Sequence, residues 1–310
     1  MNTVSKVYFA DLSYLNSWDY ARPVPLNVAF VAAYLQKNYP DINIRIFKIV
    51  EELQSAIRDA QPDVLALSHY EWNSNLDAAV IRWVKKHSPD TKIILGGPDF
   101  HSDEQSWIKR FFELRPEVDA YVTGEGEWSF NSLIKLMNTY GDLKDIPLDE
   151  MPSTIFGYDT ETSNLVHNAG LPVARLDAAT IPSPYLTGIL DSFLSDEKLA
   201  PIIETNRGCP YSCSFCCWGG ATQSKIKQFS EEQILDEIEY ICSNAKNKSG
   251  ILYLADANFG ILKRDTVIAD KIADCAEKYG FPRRVVMFYA KNTTDKIINI
   301  AERLRDISFF

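Results

Sequence analysis

The sequence predicts an α/β chain in two parts: a five-stranded, doubly wound parallel sheet, followed by a second βα series. Three observations lead there. Apolar runs alternate with amphipathic stretches over the first 140 residues, a proline-rich stretch then breaks the rhythm, and the rhythm restarts at Pro201. Strands that alternate with helices imply right-handed crossovers and a parallel sheet covered on both faces. The chain has 310 residues, about twice the usual domain length, so two domains are expected.

Residues 4–10 are a short apolar run that reads as a strand, and residues 26–36 (LNVAFVAAYLQ) read as a helix. Residues 42–49 alternate apolar and polar side chains, the period of a half-buried strand. Residues 51–59 are helical, and 64–68 (VLALS) are the continuous apolar run of a strand buried on both faces. Residues 76–86 are helical, with Ala79, Val80, Trp83 and Val84 on one face. Residues 92–96 (KIILG) give a strand, 103–114 a helix, 119–123 a strand and 128–137 a helix.

Prolines then cluster: Pro147, Pro152, Pro172, Pro182 and Pro184. Residues 154–167 hold a turn-like centre (YDTETSN) between two short runs, consistent with a hairpin. Residues 141–200 therefore read as a linker with a small hairpin, between a domain over residues 1–140 and one over residues 201–310. In the second domain, residues 202–205 are a strand that feeds a cysteine-rich loop. Ser230 is the expected N-cap of the helix EEQILDEIEYI, with Ile234, Leu235, Ile238 and Ile241 inward. Strands follow at 250–255 and 284–289, helices at 266–277 and 295–305, and residues 307–310 (ISFF) open a fourth strand.

Composition bounds the function. The chain is 46% hydrophobic and 24% charged, which excludes a disordered or low-complexity protein. Its longest apolar run, residues 28–35, is far short of the roughly 20 residues that span a bilayer. No basic segment followed by an apolar stretch opens the sequence, so the expected location is cytoplasmic. The net charge of -10 is uneven: the first 200 residues carry 17 basic against 28 acidic side chains, the remainder 15 against 14. An acidic chain of this kind is a poor binder of phosphate backbones, which disfavours nucleic acid as a partner.

All six cysteines fall at or after residue 209, and Cys209, Cys213, Cys216 and Cys217 lie within nine positions. Disulfide frameworks spread their cysteines, so this clustering reads as a metal or redox site. The spacing Cys209-Pro-Tyr-Ser-Cys213-Ser-Phe-Cys216 offers three thiolates, enough for three irons of a [4Fe-4S] cluster with one iron left open. The competing reading is zinc. Structural zinc sites take four ligands, usually as two separated pairs. Cys217 adjoins Cys216 and is badly placed to complete a tetrahedron, and no histidine lies within residues 201–310. Cys217, Cys242 and Cys275 read as buried small residues.

This loop, set after the first strand of a βα series and with Phe215 before its last cysteine, resembles the radical S-adenosylmethionine (radical SAM) superfamily. The resemblance implies that Cys209, Cys213 and Cys216 ligate the cluster and that the open iron chelates S-adenosylmethionine. One electron then yields a 5′-deoxyadenosyl radical. It also implies a reducing electron donor such as flavodoxin or ferredoxin. At the end of the second strand, where the family often holds the SAM amino group, this chain has Ala255-Asp256-Ala257-Asn258-Phe259. Asp256 is the candidate SAM contact, with Asn258 beside it, and Lys291-Asn292 stands at the end of the third strand. Three βα units and the start of a fourth are fewer than a full barrel of this type. The second part therefore reads as the N-terminal half of a radical SAM barrel, cut short.

Parallel sheets bind ligands at the carboxyl ends of their strands. In the first domain those ends read Ser68-His69-Tyr70-Glu71-Trp72-Asn73, then Gly96-Gly97-Pro98-Asp99, then Gly124-Glu125-Gly126-Glu127. No G-x-G-x-x-G or P-loop is present, which disfavours dinucleotide or nucleotide triphosphate binding. The set resembles the Rossmann-like cobalamin-binding domain of cobalamin-dependent radical SAM enzymes. The resemblance implies that Ser68, Tyr70, Trp72, Asn73, Gly96, Gly97, Pro98, Gly124 and Glu125 surround cobalamin. The loop after strand one has no histidine. His69 and His101 read as hydrogen-bonding or surface residues, so cobalamin is expected with its nucleotide tail off the cobalt and no histidine in its place.

The leading expectation is a cobalamin-dependent radical SAM C-methyltransferase acting on an unactivated carbon of a small-molecule or natural-product substrate. Cyclisation or rearrangement by the same cofactors, RNA methylthiotransfer, and a non-catalytic cobalamin or Fe–S carrier or sensor are the alternatives. No residue is assigned as catalytic.

Overall fold

The computed structural model describes residues 3–14, 22–159, 162, 164–168, 176–211, 213–214, 216, 225–291 and 294–308. Expectations for Phe215, Cys217, Asn292, Phe309, Phe310 and the centre of the hairpin turn lie outside the described residues. The chain divides into two compact units, Met1–Asn16 with Asn27–Arg175, and Ser17–Leu26 with Leu176–Phe310. Among the described residues no helix is long and apolar enough to cross a membrane.

The elements begin with β1 (Lys6–Ala10), the two-residue β2 (Arg22–Pro23), α1 (Leu26–Asn38), β3 (Asn43–Phe47) and α2 (Val50–Asp59). They continue with β4 (Val64–Ser68), α3 (Ser74–His87), β5 (Lys92–Gly96), α4 (Gln105–Glu113), β6 (Ala120–Val122) and α5 (Gly126–Tyr140). The five expected parallel strands of the first unit are all present.

The first sheet has the order β3-β1-β4-β5-β6, extended by β7 (Ile155–Asp159) and β8 (Asn164–Val166). The first five strands are parallel; β7 pairs antiparallel with β6, and β8 with β7. The order reverses between β1 and β4, which makes their carboxyl ends the crevice where doubly wound sheets take ligands. Burial divides the helices. Leu53 and Ile57 of α2, Val80 and Val84 of α3 and Phe111 and Phe112 of α4 pack on one face with Tyr8, Leu65 and Leu95. On the other face, the Phe9 ring meets Phe130 of α5 at 5.2 Å. Full burial of each such side chain contributes about 1.5–3 kcal/mol.

Two differences from the sequence reading have simple causes. The hairpin, read as part of a linker over residues 141–200, lies at the edge of the first sheet. Tyr121 stands opposite Phe156 in its register, and Phe156 joins the aromatic core. On α3 the inward stripe is Asp77, Val80, Ile81 and Val84, whereas Ala79 is exposed. That stripe is the i, i+3, i+4, i+7 series counted from Asp77, a charged residue that hydropathy alone places outside.

The second unit contains α6 (Asp191–Leu194), β9 (Leu199–Ala200), β10 (Ile202–Ile203), β11 (Asn206–Arg207) and β12 (Lys227–Gln228). After them come α7 (Glu231–Asn244), β13 (Ile251–Leu254), α8 (Asp265–Tyr279), β14 (Arg284–Val286) and α9 (Thr294–Arg303). β10, β13 and β14 form a parallel sheet in that order, and Val285 bridges in parallel to Ser308, where a fourth strand is expected. Ser230 caps α7 by accepting the Gln233 N–H at 3.1 Å, as its sequence position predicts. Ile234, Ile238 and Ile241 are buried; Leu235 is only half-buried, and Glu237 is buried in its stead. Cys242 and Cys275 are buried on α7 and α8.

Candidate functional site

In the first unit the crevice starts at the ends of β1 and β4. Asp11 follows β1 and accepts the Ser68 hydroxyl at 2.6 Å and the Lys48 ammonium at 2.6 Å. Ser68 is therefore held against the end of β1, at the point where the strand order reverses. Asn73 closes the segment beyond: its side chain donates to the Ser68 carbonyl at 2.9 Å and accepts the Tyr70 N–H at 2.8 Å. Asn73 is buried and works as a brace within the loop. The brace leaves Trp72 72% exposed, its ring stacked on Tyr70 at 4.3 Å, and the Tyr70 hydroxyl takes a hydrogen bond from Asn27. An indole so exposed offers a flat apolar face to a large ligand.

The GGP turn is anchored from beneath. The His69 N–H donates to the Gly96 carbonyl at 2.7 Å, and the Tyr121 hydroxyl to the Gly97 carbonyl at 3.0 Å. Gly97 has φ +146°, and a Cβ there would lie 2.2 Å from the His69 carbonyl oxygen. Only glycine allows the two loops to come this close. Phe100 fixes the far side, stacked on Tyr121 at 4.1 Å and edge-on to Phe111. Pro98 is exposed at the tip. Gly124 also has positive φ, +71°, but a Cβ there would meet nothing within 4 Å. It is exposed, so its backbone faces open space, and Glu125 after it is the N-cap residue of α5.

His69 is fully buried behind this turn, with Nδ1 2.9 Å from Asp77 Oδ2 and Nε2 3.5 Å from Asp99 Oδ2. It ties α3 to the GGP turn. Burial pushes the Asp77 carboxyl up to about 6, against the pull of His69. Sequence reading left His69 as a hydrogen-bonding or surface residue and missed Asp77, Asp11 and Lys48. The available signal was position, since Asp11 and Lys48 directly follow strand ends.

In the second unit the cysteine loop is pinched at its base. β11 and β12 pair antiparallel, Asn206 with Gln228 and Arg207 with Lys227, so the chain leaves and re-enters at one place. Arg264 braces that base by donating to the Thr205 and Phe229 carbonyls. Cys209 is buried, Cys213 half-buried and Cys216 exposed, all as free thiols, with the Cys216 N–H on the Cys213 carbonyl at 3.1 Å. Among the described residues no three His, Cys, Asp or Glu side chains converge as ligands of a single ion. A cubane cluster binds each cysteine through a different iron, so its thiolates need not meet at one point.

Asp256, the candidate SAM contact of the sequence, faces Thr205 and Asn206. It is 1% exposed, and its carboxylate accepts from the Thr205 N–H at 2.8 Å, the Asn206 N–H at 3.2 Å, the Asn206 amide at 3.0 Å and the Thr205 hydroxyl. Its acceptor sites are committed to the strand that launches the cysteine loop. Burial pushes this carboxyl up to about 7, against those donors. Asn258 is the residue of this turn that reaches the loop, with Nδ2 donating to Cys209 Sγ at 3.1 Å. The Lys291 ammonium lies 3.9 Å from Cys213 Sγ.

Comparisons with known proteins reach both units. Residues 20–134 match the B12 binding domain family. The cobalamin-dependent radical SAM methyltransferase TokK of Streptomyces tokunonensis is 34% identical over 97% of this chain and 43% of its own length. The 2-(S-pantetheinyl)-carbapenam-3-carboxylate methyltransferase of Streptantibioticus cattleyicolor is 37% identical over 83% of this chain and 36% of its own. The chain thus spans less than half the length of these curated relatives. Among solved structures, the cobalamin-dependent S-adenosylmethionine radical enzyme OxsB with aqua-cobalamin and S-adenosylmethionine bound superposes with a TM-score of 0.68 at 21% identity, over 97% of this chain and 41% of that one. The radical S-adenosylmethionine methyltransferase TsrM from Kitasatospora setae gives 0.65 at 13% identity, over 99% and 58%. These two share the fold. A B12 binding domain match, the three-cysteine loop on a βα frame and the likeness to TokK along nearly the whole sequence make this chain similar to part of a cobalamin-dependent radical SAM methyltransferase.

Proposed function

We propose that this chain carries the cofactor-binding part of a C-methyltransferase that acts on an unactivated carbon of a small molecule. The observation that carries the reading is the combination, in one chain, of a cobalamin-type strand-end crevice and a C-x3-C-x2-C loop. The residues fit the groups. Gly124 leaves its strand end open to a large ligand, and the paired Tyr70 and Trp72 rings add an apolar face. The three free thiols come from one loop whose base is held by hydrogen bonds. When bound, cobalamin supplies a methyl-carrying cobalt, and a [4Fe-4S] cluster with SAM supplies a hydrogen-abstracting radical.

The chain's own residues then bind and orient. Cys209, Cys213 and Cys216 hold the cluster. Asp256 aligns Thr205 and Asn206, so that the loop leaves β10 in a fixed direction. Asp11 and Ser68 fix the crevice, with Tyr70, Trp72, Gly96, Gly97, Pro98, Gly124 and Glu125 around it for cobalamin, and Asn73 braces it. A reductant of flavodoxin or ferredoxin type supplies electrons, and free thiols with a reducible cluster suit the cytoplasm.

The test is product analysis under strict anaerobiosis. The reconstituted chain is incubated with cobalamin, SAM, reductant and, as first candidate substrate, the carbapenam named for the 37% identical relative. S-adenosylhomocysteine and 5′-deoxyadenosine forming together support methyl transfer. 5′-Deoxyadenosine alone favours cyclisation or rearrangement. Neither product, with both cofactors bound, favours a carrier or sensor. Replacing Cys209, Cys213 and Cys216 together by alanine should abolish iron binding; stoichiometric zinc without iron uptake would overturn the cluster assignment.

A further inference from the structure

Asn258 lies in the turn after β13, and only 6% of it is exposed. Its amide donates to Cys209 Sγ at 3.1 Å, and Cys209 is itself 8% exposed. Both partners are fixed. On the Asn258 side, the next residue, Phe259, is fully buried; its N–H donates to the Phe288 carbonyl and its carbonyl accepts the Ala290 N–H, each at 2.8 Å. Asp265 then takes the Gly260 N–H at 2.7 Å and the Leu262 N–H at 2.9 Å. On the cysteine side, Asp256 holds Thr205 and Asn206, and the β11–β12 pairing carries that order to within two residues of Cys209. The contact is therefore built into the scaffold.

We propose that Asn258 tunes the reduction potential of the cluster held by Cys209, Cys213 and Cys216, through its N–H donated to the Cys209 sulfur. The inference rests on the cluster reading given above. Sulfur that ligates iron carries more negative charge after one-electron reduction than before it. A donor aimed at that sulfur stabilises the reduced state more than the oxidised one and raises the potential. Burial strengthens the effect, since no water competes for the sulfur. The Lys291 ammonium beside Cys213 sits on the exposed side, where solvent and salt screen it. Asn258 is thus a positioning residue for electron entry rather than a group that touches substrate.

The experiment is an EPR-monitored redox titration of the anaerobically reconstituted chain, compared with Asn258→Leu, Asn258→Asp and Asn258→His. Leucine keeps the bulk and removes the donor. Its reduced-to-oxidised ratio at fixed potential should fall about tenfold, which is 59 mV for a one-electron couple. Aspartate, which replaces the donor by an anion, should fall further. Histidine, whose Nδ1–H can occupy the amide position, should recover most of the shift. A change below twofold in leucine at full iron content would overturn the proposal. Where a variant loses iron, the unmodified chain still decides: the reduced-cluster signal should carry a 14N coupling that 15N-asparagine labelling converts to a 15N coupling, and a nitrogen pattern unchanged by the label would overturn the proposal. Failure to assemble any cluster in the unmodified chain would instead refute the cluster reading itself.

Discussion

Replacing Gly97 by alanine tests whether the GGP turn is the fixed wall of the crevice. Two costs arise together. Gly97 has φ +146°, a backbone region that side chains rarely enter, worth about 1–3 kcal/mol in strain. Its new Cβ would also sit 2.2 Å from the His69 carbonyl oxygen, so one loop has to retreat by about 1 Å to reach ordinary contact. That retreat breaks the His69–Gly96 or the Tyr121–Gly97 hydrogen bond, each worth about 1 kcal/mol. The sum is about 2–4 kcal/mol, which for a unit of this size lowers the melting temperature by roughly 10 °C. Gly124→Ala is the control. Its φ is +71° and its Cβ meets nothing, so only a left-handed backbone penalty of about 1–2 kcal/mol applies. Thermal unfolding of both variants, followed by circular dichroism, should rank Gly97→Ala well below Gly124→Ala. Cobalamin retention on gel filtration should fall in both: in the first because the turn moves, in the second because a methyl group enters the open side. A Gly97→Ala chain that melts within about 2 °C of its parent would show that the GGP turn is not a fixed wall.

Other outcomes follow from buried carboxyls. Glu237 is 2% exposed, and burial pushes its carboxyl up to about 7, against Ser183 and Gln233. Unfolded glutamate titrates near about 4.3, so between that pH and about 7 the folded chain keeps a proton that the unfolded chain has lost. Unfolding free energy therefore falls as pH rises through that window, by at most about 4 kcal/mol. Glu237→Gln should flatten the slope in denaturant titrations at pH 4 to 8, and an unchanged slope would show that Glu237 is not its source. Asp256→Ala leaves the Thr205 and Asn206 donors without their acceptor, which should cost about 3 kcal/mol or more and lower iron retention. Iron content equal to that of the parent would show that the loop does not depend on this brace.

Much of the fold was legible because the strands are apolar runs separated by amphipathic helices. The cores of the strands around Val64 to Ser68 and Lys92 to Gly96 are sequence-local signals, and they form as expected. The hairpin was legible as a hairpin, but its place at the sheet edge depends on Tyr121 facing Phe156, a pairing between distant segments. The cysteine spacing announced the loop. The division of labour between Asp256 and Asn258 was not legible. Both are polar residues of one turn, and only backbone direction decides that the first faces Thr205 while the second faces Cys209. The same holds for His69 and Asp77, a buried pair eight residues apart that looks polar and external in sequence.

The central claim is that Cys209, Cys213 and Cys216 hold a [4Fe-4S] cluster with one iron left open for SAM. Low-temperature EPR of the reduced, reconstituted chain, recorded before and after SAM is added, tests it most directly. The expected result is a reduced-cluster signal whose g values shift when SAM binds. An iron signal that ignores SAM, or a chain that takes up zinc and shows no iron signal, would contradict it.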